Sequence, residues 1–213
     1  MRLLGVGHEG VNLFCSFMDI CSGIGNSTYT ALLKNIHIAA SSVFETLLSF
    51  AVTQEKTMNE EAGKPQDELI VSDDGTWKKK GFLSLFGASM LIGKYTGKIF
   101  NAMVMSSFCG ACNKWGKKNT DPIEYEIWYE SHVDECTINH SGSSSKMEIS
   151  AITQMFSRSM EKYGVKYLTY IGNGDSKTFK GILDAKPYGD TQVTKKECVG
   201  HVEKRMGTRF RVK

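Results

Sequence analysis

The stretch "ELIVSDDGTW", residues 68–77, decides the fold class. It opens with consecutive apolar residues, as a buried strand does, and runs into Asp73-Asp74-Gly75. Two more apolar runs follow, "GFLSLFGASMLIG" at 81–93 and "KIFNAMVMSSF" at 98–108. The Gly-bearing turn "GKYTGK" joins them. Such short connections predict three consecutive antiparallel strands.

Around these strands the period changes. Upstream, Leu32, Leu33, Ile36, Ala40, Val43, Leu47 and Phe50 recur every three or four residues and predict a helix over 28–58, with Asn26 or Ser27 as N-cap. The charged segment 59–68, with Gly63 and Pro65, reads as a linker. This sets a helical N-terminal segment at 1–68 and a second region at 69–213. Downstream, 109–142 has little periodicity. A helix is predicted over 146–163, with Ser145 and Glu148 as a capping box and Gly164 at its end. A strand follows at 165–172, a helix at 176–184, and a last helix from about Lys195 with the stripe Val199, Val202, Met206 and Phe210. The expected fold class is α/β.

Bulk composition agrees with a folded protein: 213 residues, 41% hydrophobic, three Pro. No run of 18 apolar residues is present, so no membrane span is expected, and the N-terminus lacks the pattern of a secretory signal. The net charge of +3 is uneven: −4 over 1–68, +1 over 69–175 and +6 over 176–213. A basic end suits a polyanion such as nucleic acid, or simply a solvated helix face.

Two constellations carry chemistry. The first is acidic: Asp73-Asp74-Gly75, and Asp175 in "YIGNGDSK", each placed by the sequence at the end of a strand. Carboxylates on such a scaffold can share a pair of Mg²⁺ or Mn²⁺ ions about 4 Å apart, which activate a water or a 3′-hydroxyl against a phosphodiester. Asp-Gly also makes plain turns. The second is Cys109-x2-Cys112-x23-Cys136-x3-His140, the spacing of a closed tetrahedral Zn²⁺ site, with His132 as a competing ligand. Such a site would be structural and would supply folding energy to an irregular segment. Of the other cysteines, Cys15 and Cys21 read as buried or incidental. Cys198-x2-His201 puts two ligand types on one helix face, too few to close a site. Trp77 is expected to pack rather than to stack on a base.

The ordered motifs "VSDDGTWKKKGFLSLFG", "GKIFNAMVMSSFCGAC", "CTINHSGSSSKME", "YIGNGDSK" and "KKECVGHVEKRMGTR" resemble the Mutator-like transposase domain of animal transposons, over essentially residues 1–213 and least in the first 25. The resemblance implies an RNase H-like core with an Asp-Asp-Glu metal triad, and cut-and-paste DNA transposition in the nucleus. It implies double-stranded DNA, the transposon ends, as partner, allows a homo-oligomer, and gives no membrane role. Asp74 matches the Asp of the family's "DGTW". The second motif usually reads Gly-Asp-Gly-Asp-Ser-Lys; here Asn173 replaces its first acid and Asp175 is kept. Cys198 and His201 match a C-x2-H motif that precedes the Glu in such transposases. The reading is therefore a C-terminally truncated domain, inactive alone with two of three carboxylates. The alternative is a non-catalytic, zinc-stabilised DNA- or partner-binding remnant.

Overall fold

The computed structural model describes residues 6–78, 84–118, 121–172, 176–200 and 203. The chain divides into two compact units, Met1–Leu47 and Leu48–Lys213. The boundary falls within one long helix.

The first unit holds α1 (His8–Phe17) and the start of α2 (Asn26–Glu61). The loop between them is pinned at Ile24. His8 Nε2 meets the Ile24 carbonyl at 2.5 Å, and Asn12 Oδ1 accepts the Ile24 N–H at 2.9 Å. Cys15 is half-buried and Cys21 exposed. The apolar stripe of α2 also departs from expectation: Leu32, Ile36, Val43, Leu47 and Phe50 are exposed. By length and composition alone α2 is apolar enough to cross a membrane, although it has no unbroken run of 18 apolar residues. Its last turns are those of a core helix, with Leu48, Ala51, Val52, Glu55 and Asn59 buried.

The second unit is built on a five-stranded sheet in the order β3-β2-β1-β4-β5. The strands are β1 (Glu68–Trp77), β2 (Phe86–Gly93), β3 (Ile99–Ser106), β4 (Lys166–Gly172) and β5 (Thr194–Glu197). β1–β2 and β2–β3 pair antiparallel; β1–β4 and β4–β5 pair parallel. The three predicted antiparallel strands are thus present. β2 alternates strictly between half-buried and buried residues, so one sheet face is covered. Its cover includes α5 (Ser144–Ser157), whose Met147, Ala151, Ile152, Met155 and Phe156 are buried, followed by α6 (Ser159–Tyr163). Leu69, Val71, Leu91, Phe100, Tyr167 and Tyr170 meet this face in the core, with Ile182 of α7 (Ser176–Ala185). α6 ends at Gly164, φ 60°, as the sequence predicted.

Two elements correct the sequence reading. The expected capping box is not formed: Ser143 is the N-cap of α5, and Glu148 turns toward β1. Thr194–Glu197, expected to open the last helix, is an edge strand beside β4. The stretch expected as a linker is held in place, since Asn59 is fully buried and its amide donates to the Glu68 carbonyl at 3.0 Å.

Buried polar groups lock the hairpin and the helix break. Glu55 is fully buried and accepts the N–H of Tyr95 and of Thr96, each at 2.9 Å, and the Thr96 hydroxyl at 2.7 Å. It thereby closes the β2–β3 turn. At the α5–α6 break, Arg158 donates to Asn101 Oδ1 at 2.6 Å and to the Ala102 carbonyl at 3.0 Å.

Candidate metal centre and carboxylate site

The aperiodic segment after β3 folds into two short helices, α3 (Gly110–Lys118) and α4 (Pro122–His132), and a single 3-10 turn, Val133–Glu135. Asp121 caps α4 by accepting the Ile123 N–H at 2.9 Å, with Pro122 at the first helical position. Neither helix shows an aliphatic stripe, because each presents sulfur and aromatic rings to the other.

Between them lie Cys109, Cys112, His132 and Cys136, whose ligand atoms are all within 4.8 Å of one another. Cys109 Sγ is 3.2 Å from His132 Nε2, and Cys112 Sγ is 3.7 Å from Cys136 Sγ. A tetrahedral Zn²⁺ with about 2.3 Å Zn–S and about 2.0 Å Zn–N bonds sets ligand edges of roughly 3.5–3.8 Å. The donor set and its spacing therefore fit zinc. The thiols feel their crowding. Backbone N–H groups of Cys112 and Thr137, with His132, hold Cys109 down to about 5, against the cost of burial. Burial and the neighbouring Cys136 and Cys109 push Cys112 up to about 11. Three thiolates cannot share this space without a cation, and a bound metal would deprotonate all of them.

The fourth ligand corrects the sequence reading. His132 joins the three cysteines, and His140 is not in the group. The cause is local: Asn139 and His140 extend the end of β3. Both backbone N–H groups donate to the Ser106 carbonyl, at 3.0 and 3.1 Å, and Asn139 Oδ1 accepts the Ser106 N–H at 2.7 Å. The His140 ring is buried with Nε2 3.3 Å from the Ser143 carbonyl. The tight Cys136-x3-His140 spacing suggested a ligand pair, whereas α4 carries His132 to the sulfurs from one end of the helix.

The acidic pair is divided between the two sheet faces, since successive strand residues point oppositely. Asp74 is exposed and accepts its neighbour's N–H, from Gly75, at 2.9 Å. In register with it stand Met90 and then Ala102. Asp73 faces α5. It accepts the Tyr170 hydroxyl at 2.8 Å, and the Glu148 carboxyl lies beside it. Burial raises its pKa, opposed by those two neighbours. The acids do not end β1 as expected: pairing with β2 continues to Trp77. What stops there is the parallel ladder with β4, whose last pair is Ser72–Ile171. Asp73 and Asp74 thus lie level with the point where β4 ends, at Gly172.

Asn173 and Asp175 lie outside the described residues, as does His201. Cys198 is half-buried, and its N–H donates to the Gly172 carbonyl at 3.0 Å, so the C-x2-H motif starts at the same end of the sheet. Trp77 packs against the buried cluster of Met105, Met147 and Ala151, as expected.

The model of the Mutator-like transposase family matches residues 1–212. The chain belongs to the Mutator-like transposase family. No curated protein and no solved structure matches it. Family membership agrees with the resemblance drawn from the motifs. Within this Mutator-like transposase chain, Asp73 and Asp74 lie at the β1–β4 junction, with Glu148 beside Asp73.

Proposed function

We propose that this chain carries an RNase H-like catalytic core of a cut-and-paste DNA transposase, working on double-stranded transposon ends in the nucleus, as a monomer or homo-oligomer. Asp74 and Asp175 would hold the catalytic Mg²⁺ or Mn²⁺. The observation that carries the reading is the sheet. β1 is flanked by antiparallel β2 and parallel β4, and the Asp73-Asp74 step lies where β4 departs. The segment after β4 is where the sequence places Asp175, and a shared ion needs carboxylates from two such neighbouring strands. Residues matching the family's motifs supply two of three carboxylates, and Asn173 brings no charge to its position, so no cleavage by this chain alone is expected. An Mg²⁺-dependent nicking assay on residues 1–213 tests this. Cleavage abolished by Asp74→Asn would keep Asp74 as a ligand and overturn the expected inactivity.

The Cys109–Cys112–His132–Cys136 geometry favours a second reading, a zinc-stabilised module that binds DNA or a partner without cutting. Its DNA affinity would fall steeply with salt, because phosphate contacts release counterions. Absence of DNA binding at about 50 mM salt would count strongly against it and leave only a protein partner, since electrostatic binding to DNA is strong at such low salt.

A further inference from the structure

Helix α4 brings more than His132 to the cysteines. Tyr125, Trp128, Tyr129 and His132 stand at i, i+3, i+4 and i+7, one helix face. The Trp128 ring lies on the His132 imidazole, centroids 4.6 Å apart and planes 16° from parallel. Trp115 of α3 stacks on Trp128 in turn, at 5.0 Å and 20°. Tyr125 is set beside Cys112 and Tyr129 beside Cys136, and both rings pack on Trp128, with centroids 5.6 and 6.4 Å away. Cys109 receives backbone N–H groups instead. The imidazole of the cluster therefore has an aromatic wall, and two of its sulfurs have a phenol beside them.

We propose that Trp128, Tyr125 and Tyr129 are positioning residues for a metal held by Cys109, Cys112, His132 and Cys136. Trp128 fixes the imidazole plane, and the two phenols donate to the ligand sulfurs. The inference rests on the zinc reading of the cluster. Three thiolates and a neutral imidazole around Zn²⁺ leave a net charge of −1. Donors aimed at the sulfurs spread that charge and blunt the thiolates as nucleophiles. Ring stacking holds His132 where a free imidazole would turn about its χ angles. Partners of this kind set metal affinity nearly as strongly as the ligands do.

The test uses the whole chain, with zinc affinity read by competition against a chromophoric chelator. Trp128→Leu should weaken zinc binding by about 10- to 100-fold, and Trp128→Phe, which keeps a ring on His132, should recover most of it. Tyr125→Phe and Tyr129→Phe should shift the sulfur-to-metal charge-transfer band of the Co²⁺-loaded protein and speed alkylation of the bound cysteines. Ile127→Ala, on the outer side of α4 and 66% exposed, should change none of these. Zinc-loaded wild type with variants of unchanged affinity, spectrum and alkylation rate would overturn this inference alone. A wild-type chain that takes up no zinc would overturn the zinc reading and the inference with it.

Discussion

The Asp73 carboxylate accepts the Tyr170 hydroxyl at 2.8 Å, joining β1 to β4 at the step where their parallel pairing ends. The Glu148 carboxyl of α5 also lies beside Asp73. Its neighbour Asp74 points to the other face and is exposed. One dipeptide thus holds a carboxyl that helps pack the fold and one that is exposed on the other face.

For Asp73 the pH dependence follows from burial, which raises its folded pKa above the unfolded value. The folded state then binds the extra proton, so this contribution to stability is full below the unfolded pKa and is lost as pH rises through the folded one. Asp73→Asn keeps an acceptor for Tyr170 and removes the titration. Melting curves between pH 4 and 8 should show the variant gaining on the wild type as pH rises. A constant difference across that range would contradict the assignment.

Asp74→Asn should behave differently. The side chain is exposed and, among the described residues, accepts its neighbouring Gly75 N–H, so stability should change by no more than about 0.5 kcal/mol. Any effect should appear in Mg²⁺ or Mn²⁺ binding, read by calorimetry on the two variants side by side. Loss of the divalent ion with Asp73→Asn but not Asp74→Asn would move the ligand role to the covered face.

The legibility of the fold follows the same physics. β1 to β4 were readable because they alternate or run apolar between Gly-bearing turns. β5 was not: "TKKE" has no apolar pattern, and only pairing with the distant Thr169–Gly172 makes it a strand. α3 and α4 were missed because their inward faces carry Cys, Trp, Tyr and His, which period-based reading does not score as a core. For the same reason three of the four cluster ligands could be found from spacing, while His132 needed the helix to be placed. The i, i+3, i+4, i+7 pattern of Tyr125, Trp128, Tyr129 and His132 was the signal available.

Glu55 and Gly93 form a matched pair. The buried carboxylate fills the space that a side chain on Gly93 would take, and a Cβ there would overlap it. Glu55→Ala leaves the Tyr95 and Thr96 donors without their acceptor and should cost about 2–4 kcal/mol. Gly93→Ala should also destabilise, through overlap rather than a lost bond. Urea unfolding of both variants checks this, and a double variant should cost less than the sum, because removing Glu55 vacates the space a residue at 93 would fill.

The ligand set of the metal centre separates two histidines. The geometry predicts about one zinc per chain, lowered by Cys112→Ser and by His132→Ala, and unchanged by His140→Ala. His140→Ala should instead cost stability, since its ring is buried against the Ser143 carbonyl near the end of β3. Chelation should lower the melting temperature of the wild type, because metal binding free energy is folding free energy for α3 and α4. Elemental analysis and melting curves with and without chelator measure both. Zinc lost from His140→Ala and kept by His132→Ala would return the fourth ligand to the residue that spacing alone had indicated.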